Sequence, residues 1–166
     1  RRLQALSTSS PELEALHGIA EMALNDVRQL SRLMSPTILD DLGLKPALNW
    51  LCRNLLSGED IEYHTEITVP PDLPKDISTL LFRIAQETLV NAIKHSEATN
   101  LTLSISYHHH VIRLDILDNG VGFDSKAIEP GIGLSSIRDR AEAFNATLEI
   151  DSAVGQGTRT TVTVPV

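Results

Sequence analysis

The chain has 166 residues, 42% of them hydrophobic, enough for one sizeable core and a short appendage. A net charge of −8 argues against non-specific nucleic-acid binding, and no run of roughly 18 apolar residues is present to span a membrane. Cys52 is the only cysteine, so no internal disulfide forms; beside Trp50 and Leu51 it reads as a buried structural thiol.

Residues 1–10 are polar and read as frayed, and Ser10-Pro11-Glu12 then starts a helix with Ser10 as its cap. Leu13, Leu16, Ala20, Ala23, Val27, Leu30 and Met34 recur in alternating steps of three and four, a heptad seam that an isolated helix cannot bury. It needs a partner helix, from another chain or from sequence outside these residues; a homodimer through this helix is expected, and Pro36 is expected to end it. Leu42–Leu56 is a second helical pattern, set off by Pro36 and Gly43 and stopped by Ser57-Gly58. Ile61, Tyr63, Thr65 and Ile67 alternate as a strand up to Pro70-Pro71.

The next helix runs from about Lys75 to Ser96, with Ile77, Leu80, Leu81, Ile84, Thr88 and Ala92 as its core face. Glu87, Asn91 and Lys94 form a stripe along one edge of that face. A base, a neutral oxygen ligand and a cation in such a row can handle a metal-bound triphosphate; a solvated helix edge would look the same.

Thr99–Tyr107 and His110–Leu117 alternate and pair across His108-His109-His110, which reads as a polar hairpin tip rather than a metal site. Ile112, Leu114, Ile116 and Asp118 share one face, so a carboxylate ends an apolar strand face, where it needs donors. Asn119-Gly120-Val121-Gly122 follows at once and lets bare backbone approach a ligand. An adenine suits this place, because its exocyclic amine donates; a strand-ending turn is the plainer alternative.

Asp124–Pro130 is a short polar loop. Gly131-Ile132-Gly133-Leu134 opens a helix through Ser135–Phe144, whose first amides can receive phosphate oxygens. Arg138 and Arg140 on that helix either contact phosphate or stud a solvated face. Leu148 and Ile150 mark another strand, and Thr158, Thr160, Val162 and Val164 share one face of the last. Thr158 then points inward, where its hydroxyl can second the Asp118 contact.

The strands and helices do not alternate, so an α+β fold is expected rather than a doubly wound parallel sheet. It would be a two-layer sandwich of about five strands in a mixed, mostly antiparallel sheet, with three helices on one face and an N-terminal coiled-coil-type helix. There is no Walker-type phosphate loop and no protein-kinase His-Arg-Asp set.

Taken in order, Glu87-x-x-x-Asn91-x-x-Lys94-His95, Asp118-x-Gly120-x-Gly122, Gly131-x-Gly133-Leu134 and Gly155-x-Gly157-Thr158 resemble the N, G1, G2 and G3 boxes of the GHKL (Bergerat) ATP-binding fold. Within that superfamily the chain resembles the catalytic domain of a sensor histidine kinase. Pro36-x-x-Leu39-Asp40-x-Leu42-Gly43-Leu44-x-x-Ala47-Leu48 and Gly133–Ala141 are similar to the subfamily of the nitrate/nitrite sensors and the membrane-fluidity thermosensor kinase. The resemblance covers about residues 12–166.

It implies that residues 1–36 are the second helix of a dimerisation and phosphoacceptor hairpin, and that residues 37–166 are an ATP-binding catalytic domain. It implies ATP and Mg2+ as cofactors, with Asp118 on the adenine amine, Asn91 on Mg2+, Lys94 on phosphate and His95 lining the nucleotide pocket. Glu87 would be the general base or would orient the acceptor imidazole. Gly120, Gly122, Gly131, Gly133, Leu134 and Thr158 complete the implied nucleotide site. The loop Asp124–Pro130 would be a lid over the nucleotide, short and therefore mobile. Ile132 departs from the family, which more often has His there, so that polar phosphate contact is lost.

The parent protein would move the ATP γ-phosphoryl group to a His on an upstream helix, for relay to an Asp on a response regulator receiver domain. It would be cytoplasmic, with any membrane anchor upstream of residue 1. His17 lacks an acidic follower and lies on the wrong helix, so it is not the expected acceptor, and the chain is expected to bind ATP without labelling itself. The alternatives are a GHKL ATPase or serine-directed kinase, opposed by the heptad and the Pro36–Leu48 stretch, and a catalytically silent nucleotide-binding or dimerisation module, opposed by intact Glu87, Asn91 and Asp118.

Overall fold

The computed structural model describes residues 36–124 and 132–166. The expected heptad helix with His17, the loop after Asp124, and Gly131 lie outside the described residues. Four helices and five strands follow in the order α1 (Pro36–Leu42), α2 (Leu44–Leu56), β1 (Glu62–Ile67), α3 (Lys75–His95), β2 (Asn100–His108), β3 (Val111–Asp118), α4 (Ile132–Glu142), β4 (Thr147–Ser152) and β5 (Thr158–Pro165).

The sheet order is β1-β2-β3-β5-β4. β1 runs parallel to β2 and every other pair is antiparallel, so the sheet is mixed and mostly antiparallel as expected. β5 inserts between β3 and β4. The end of β3 therefore lies beside the start of β5, with Asp118 directly opposite Thr158.

Period-2 alternation builds the inner face of the sheet: Leu101, Leu103 and Ile105, then Ile112, Leu114 and Ile116, then Val162 and Val164 are all buried. α3 covers this face with the expected stripe, of which Leu81 and Ile84 are fully enclosed. It also buries Phe82, Ala85 and Leu89, because α2 packs against it with Ala47, Leu48, Leu51 and Cys52. Burial pushes the Cys52 thiol up to about 12, which makes it an inert packing group. Truncating one of these enclosed leucines to alanine costs about 2–5 kcal/mol.

One boundary differs from the expected one, and one helix is added. Pro36 is the first residue of α1; proline has no N–H to lose in a first turn and its φ suits one. The pattern from Leu42 to Leu56 is divided at Gly43, whose N–H donates to the Leu39 carbonyl at 3.0 Å while its own carbonyl receives the Ala47 N–H at 3.2 Å. α1 thus adds a short helix to the three expected.

The histidine tip is a two-residue turn in which His109 and His110 hold φ of 50° and 62°. The outer sheet face is polar and centres on Asp115. Its carboxylate receives Arg113 Nε at 2.6 Å, Arg113 Nη2 at 2.9 Å and the Thr161 hydroxyl at 2.7 Å. The Arg113 bonds, against the opposing cost of burial, hold the Asp115 carboxyl below the usual carboxylate range.

Candidate functional site

Asp118 is the last residue of β3 and is only 6% exposed. Its Oδ1 receives the Gly120 N–H at 2.9 Å, and the Thr158 backbone N–H also donates to the carboxylate. Burial pushes the carboxyl above its ordinary value, and the two N–H bonds offset only part of this. Among the described residues no cation pairs with it. A buried carboxylate with spare lone pairs at a strand end is a place for an outside donor.

Two close approaches hold this corner. A Cβ on Gly120 would overlap the Ser96 carbonyl, and the next residue, Val121, donates its N–H to that same carbonyl at 2.7 Å. Gly157, at φ 75°, lies against the Asp118 carbonyl with no room for a side chain. The end of β3 is thereby docked onto the end of α3 on one side and onto the start of β5 on the other.

Polar side chains complete the joint. Asn119 Oδ1 receives the backbone N–H groups of Thr99 and Asn100, both at 2.9 Å, and its Nδ2 donates to Thr99 Oγ1 at 3.0 Å. Ser152 Oγ receives the Phe123 N–H at 2.9 Å, donates to the Gly157 carbonyl at 3.0 Å, and lies 3.0 Å from Thr158 Oγ1. Ser96 Oγ donates to the Ala92 carbonyl at 2.7 Å and receives the Ala98 N–H at 3.1 Å, closing α3.

The structure brings Asp118, Gly120, Gly122, Gly157 and Thr158 together at one end of the sheet, and Ser96 ties them to the end of α3 that carries Asn91, Lys94 and His95. Thr158 is half-buried on the inner face, as its alternation predicted. Glu87 and Asn91 are half-buried, while Lys94 and His95 are exposed. Among the described residues none of these four makes a side-chain hydrogen bond or ion pair. Gly133 and Leu134 lie in the first turn of α4, whose Ile137 and Ala141 reach the core. Arg138 and Arg140 are both exposed on that helix.

Ser96, Asn119 and Ser152 were not singled out by the sequence reading. Ser152 had a signal, since it continues the alternation Leu148, Ile150, Ser152 toward the inner face. Ser96 and Asn119 had none, because what they hold comes from distant segments: the Ser96 carbonyl receives the Val121 N–H, and Asn119 Oδ1 receives the N–H groups of Thr99 and Asn100.

Residues 76–166, more than half of the chain, match the family described as histidine kinase-, DNA gyrase B-, and HSP90-like ATPase. The oxygen sensor histidine kinase NreB of Staphylococcus carnosus (strain TM300) is 33% identical over 156 residues, covering 91% of this chain and 44% of that protein. The sensor histidine kinase LiaS of Bacillus subtilis (strain 168) is 32% identical over 151 residues, covering 89% of this chain and 41% of that protein. The chain thus spans less than half the length of these curated relatives.

Among solved structures, the Acinetobacter baumannii histidine kinase AdeS is similar with a TM-score of 0.65 at 17% identity, over 97% of this chain and 87% of that one. The histidine kinase domain of the Erythrobacter litoralis EL346 blue-light activated histidine kinase is similar with a TM-score of 0.61 at 19% identity, over 71% of this chain and 57% of that one. At these identities the structures speak for the fold. The match over more than half of the chain decides it, and the mixed five-stranded sheet agrees: this chain belongs to the histidine kinase-, DNA gyrase B- and HSP90-like ATPase family.

Proposed function

We propose that residues 37–166 are the ATP-binding catalytic domain of a two-component sensor histidine kinase, and that residues 1–36 belong to its dimerisation and phosphoacceptor hairpin. The observation that carries the reading is Asp118: a buried carboxylate, served by two backbone N–H groups and, among the described residues, by no cation, at the mouth of an apolar strand face. The exocyclic amine of adenine supplies the donor it lacks. Gly120, Gly122 and Thr158 shape the base pocket around it, and the first turn of α4, with Gly133 and Leu134, offers backbone amides to phosphate; Gly131, the other residue of this motif, lies outside the described residues.

Asn91 offers a neutral side-chain oxygen, half-buried and without a partner among the described residues. A hard oxygen donor of this kind fits Mg2+, which is held by few protein atoms together with substrate phosphates. Bound there, Mg2+ neutralises phosphate charge, which a chain of net charge −8 cannot do through its overall field. Lys94 meets phosphate oxygens, and His95 borders the nucleotide. Glu87 takes the proton from the acceptor imidazole, or holds that ring for attack. Phosphoryl transfer depends on such positioning more than on covalent chemistry by the enzyme.

The phosphoryl group goes to a His of the parent protein and then to a response regulator receiver domain, and the parent is a homodimer. Its ATP is cytosolic, so the domain works in the cytoplasm; no described helix is long and apolar enough to cross a membrane. The test is to titrate the chain with Mg-ATP, then supply an acceptor hairpin and γ-labelled ATP. Binding followed by an acid-labile, base-stable phosphate on the hairpin is expected. Hydrolysis without transfer would make the domain an ATPase, and absence of nucleotide binding would overturn the reading.

A further inference from the structure

Ser152 ends β4 and is 8% exposed, and its hydroxyl sits among three polar atoms. A serine hydroxyl has one hydrogen and two lone pairs. The Gly157 carbonyl, 3.0 Å away, can only accept, so the Ser152 hydrogen goes to it. The Phe123 N–H, 2.9 Å away, can only donate, so it takes one lone pair. The remaining lone pair faces Thr158 Oγ1 at 3.0 Å, where Thr158 must therefore be the donor. Every capacity of Ser152 is used, and the only hydroxyl hydrogen of Thr158 is committed to it. Thr158 has nothing but lone pairs to offer elsewhere.

Thr158 is the direct cross-strand partner of Asp118 and shares its face, and its backbone N–H donates to that carboxylate. Side chains so placed have Cβ atoms about 4.5–5.5 Å apart. The pair thus presents two neighbouring acceptors. A 6-amino purine brings two N–H donors on one exocyclic nitrogen. A 6-oxo purine brings an acceptor oxygen to the same place, where it meets lone pairs on both sides.

We propose that Ser152 is a positioning residue for base specificity: by setting the direction of its hydrogen bond with Thr158 it makes the pocket discriminate against 6-oxo purine nucleotides. It acts through Thr158 and does not touch the base. The proposal rests on the nucleotide-site reading above.

The experiment is displacement of a ribose-labelled fluorescent ATP analogue from the whole chain by unlabelled ATP or inosine triphosphate, with Mg2+ present. Wild type should prefer ATP. Ser152→Ala frees the Thr158 hydroxyl to rotate and donate, so the preference should fall about tenfold, the effect of relieving an unmatched buried polar contact. Thr158→Val should lower the preference too, and adding Ser152→Ala to it should change nothing further. A Ser152 with only a structural role would weaken both nucleotides alike. An unchanged ratio in Ser152→Ala overturns the proposal, as does a further fall in the double variant. Should thermal melting show Ser152→Ala unfolded, an unchanged ratio in Thr158→Val overturns it instead. A wild type that binds ATP but shows no preference sinks the proposal alone, whereas a wild type that binds neither nucleotide sinks the functional reading with it.

Discussion

Gly120 lies against the carbonyl of Ser96 so closely that no Cβ fits between them. The contact locks the turn after β3 onto the first residue beyond α3, and the Val121 N–H seals it at 2.7 Å. It couples the strand-end carboxylate to the helix that bears the polar stripe. Gly120→Ala must push the two segments apart, an overpacking cost of about 1–3 kcal/mol. We expect a lower melting temperature together with weakened nucleotide binding. A variant that melts and binds like wild type would show that the contact is slack.

Asp118 and Asn91 should fail in different ways. Asp118→Ala removes the acceptor for the base and leaves a buried donor unmatched, about 1–3 kcal/mol or roughly tenfold or more in affinity. Asn91→Ala should instead reduce the dependence of binding on Mg2+. Titration of both variants with a fluorescent ATP analogue, with and without Mg2+, separates the two roles. Unchanged affinity in the Asp118 variant would remove that residue from the base pocket.

Glu87→Gln preserves shape on the half-buried edge of α3 but cannot take a proton. Nucleotide affinity should stay within a factor of about two, while transfer to a supplied acceptor hairpin falls by about 10²-fold or more. Transfer at the wild-type rate would leave Glu87 without a role as base.

Asp115 gives a pH-dependent stability. Its carboxyl is held low by the Arg113 bonds, so its contribution is present above the unfolded carboxylate value and is lost as pH falls through the folded one. Asp115→Asn should destabilise the protein at neutral pH by about 1.5–3 kcal/mol, the scale of a hydrogen bond to a charged group. The gap between variant and wild type should close below about pH 4. Urea unfolding across a pH series measures it, and a gap that is constant with pH would show that the charge contributes nothing.

The sequence alone determined those features that a local period encodes. The 3.6-residue stripe of α3, from Ile77 to Ala92, and the alternation through Leu101–Ile105 and Ile112–Ile116 arise because each element buries one face, and that face repeats along the chain. The same alternation placed Asp118 and Thr158 on the inner face before any contact was known. Tertiary structure alone decided which segments meet. No local pattern says that β5 inserts between β3 and β4, yet that order sets Thr158 opposite Asp118. Nor does one say that α3 is enclosed on a second side by α2, or that Ser96 and Ser152 receive the loops around Asp118. The groups they receive from those loops, the Val121 and Phe123 N–H, are backbone atoms brought in from distant positions, and hydrogen bonds to backbone leave no residue type to recognise at the other end.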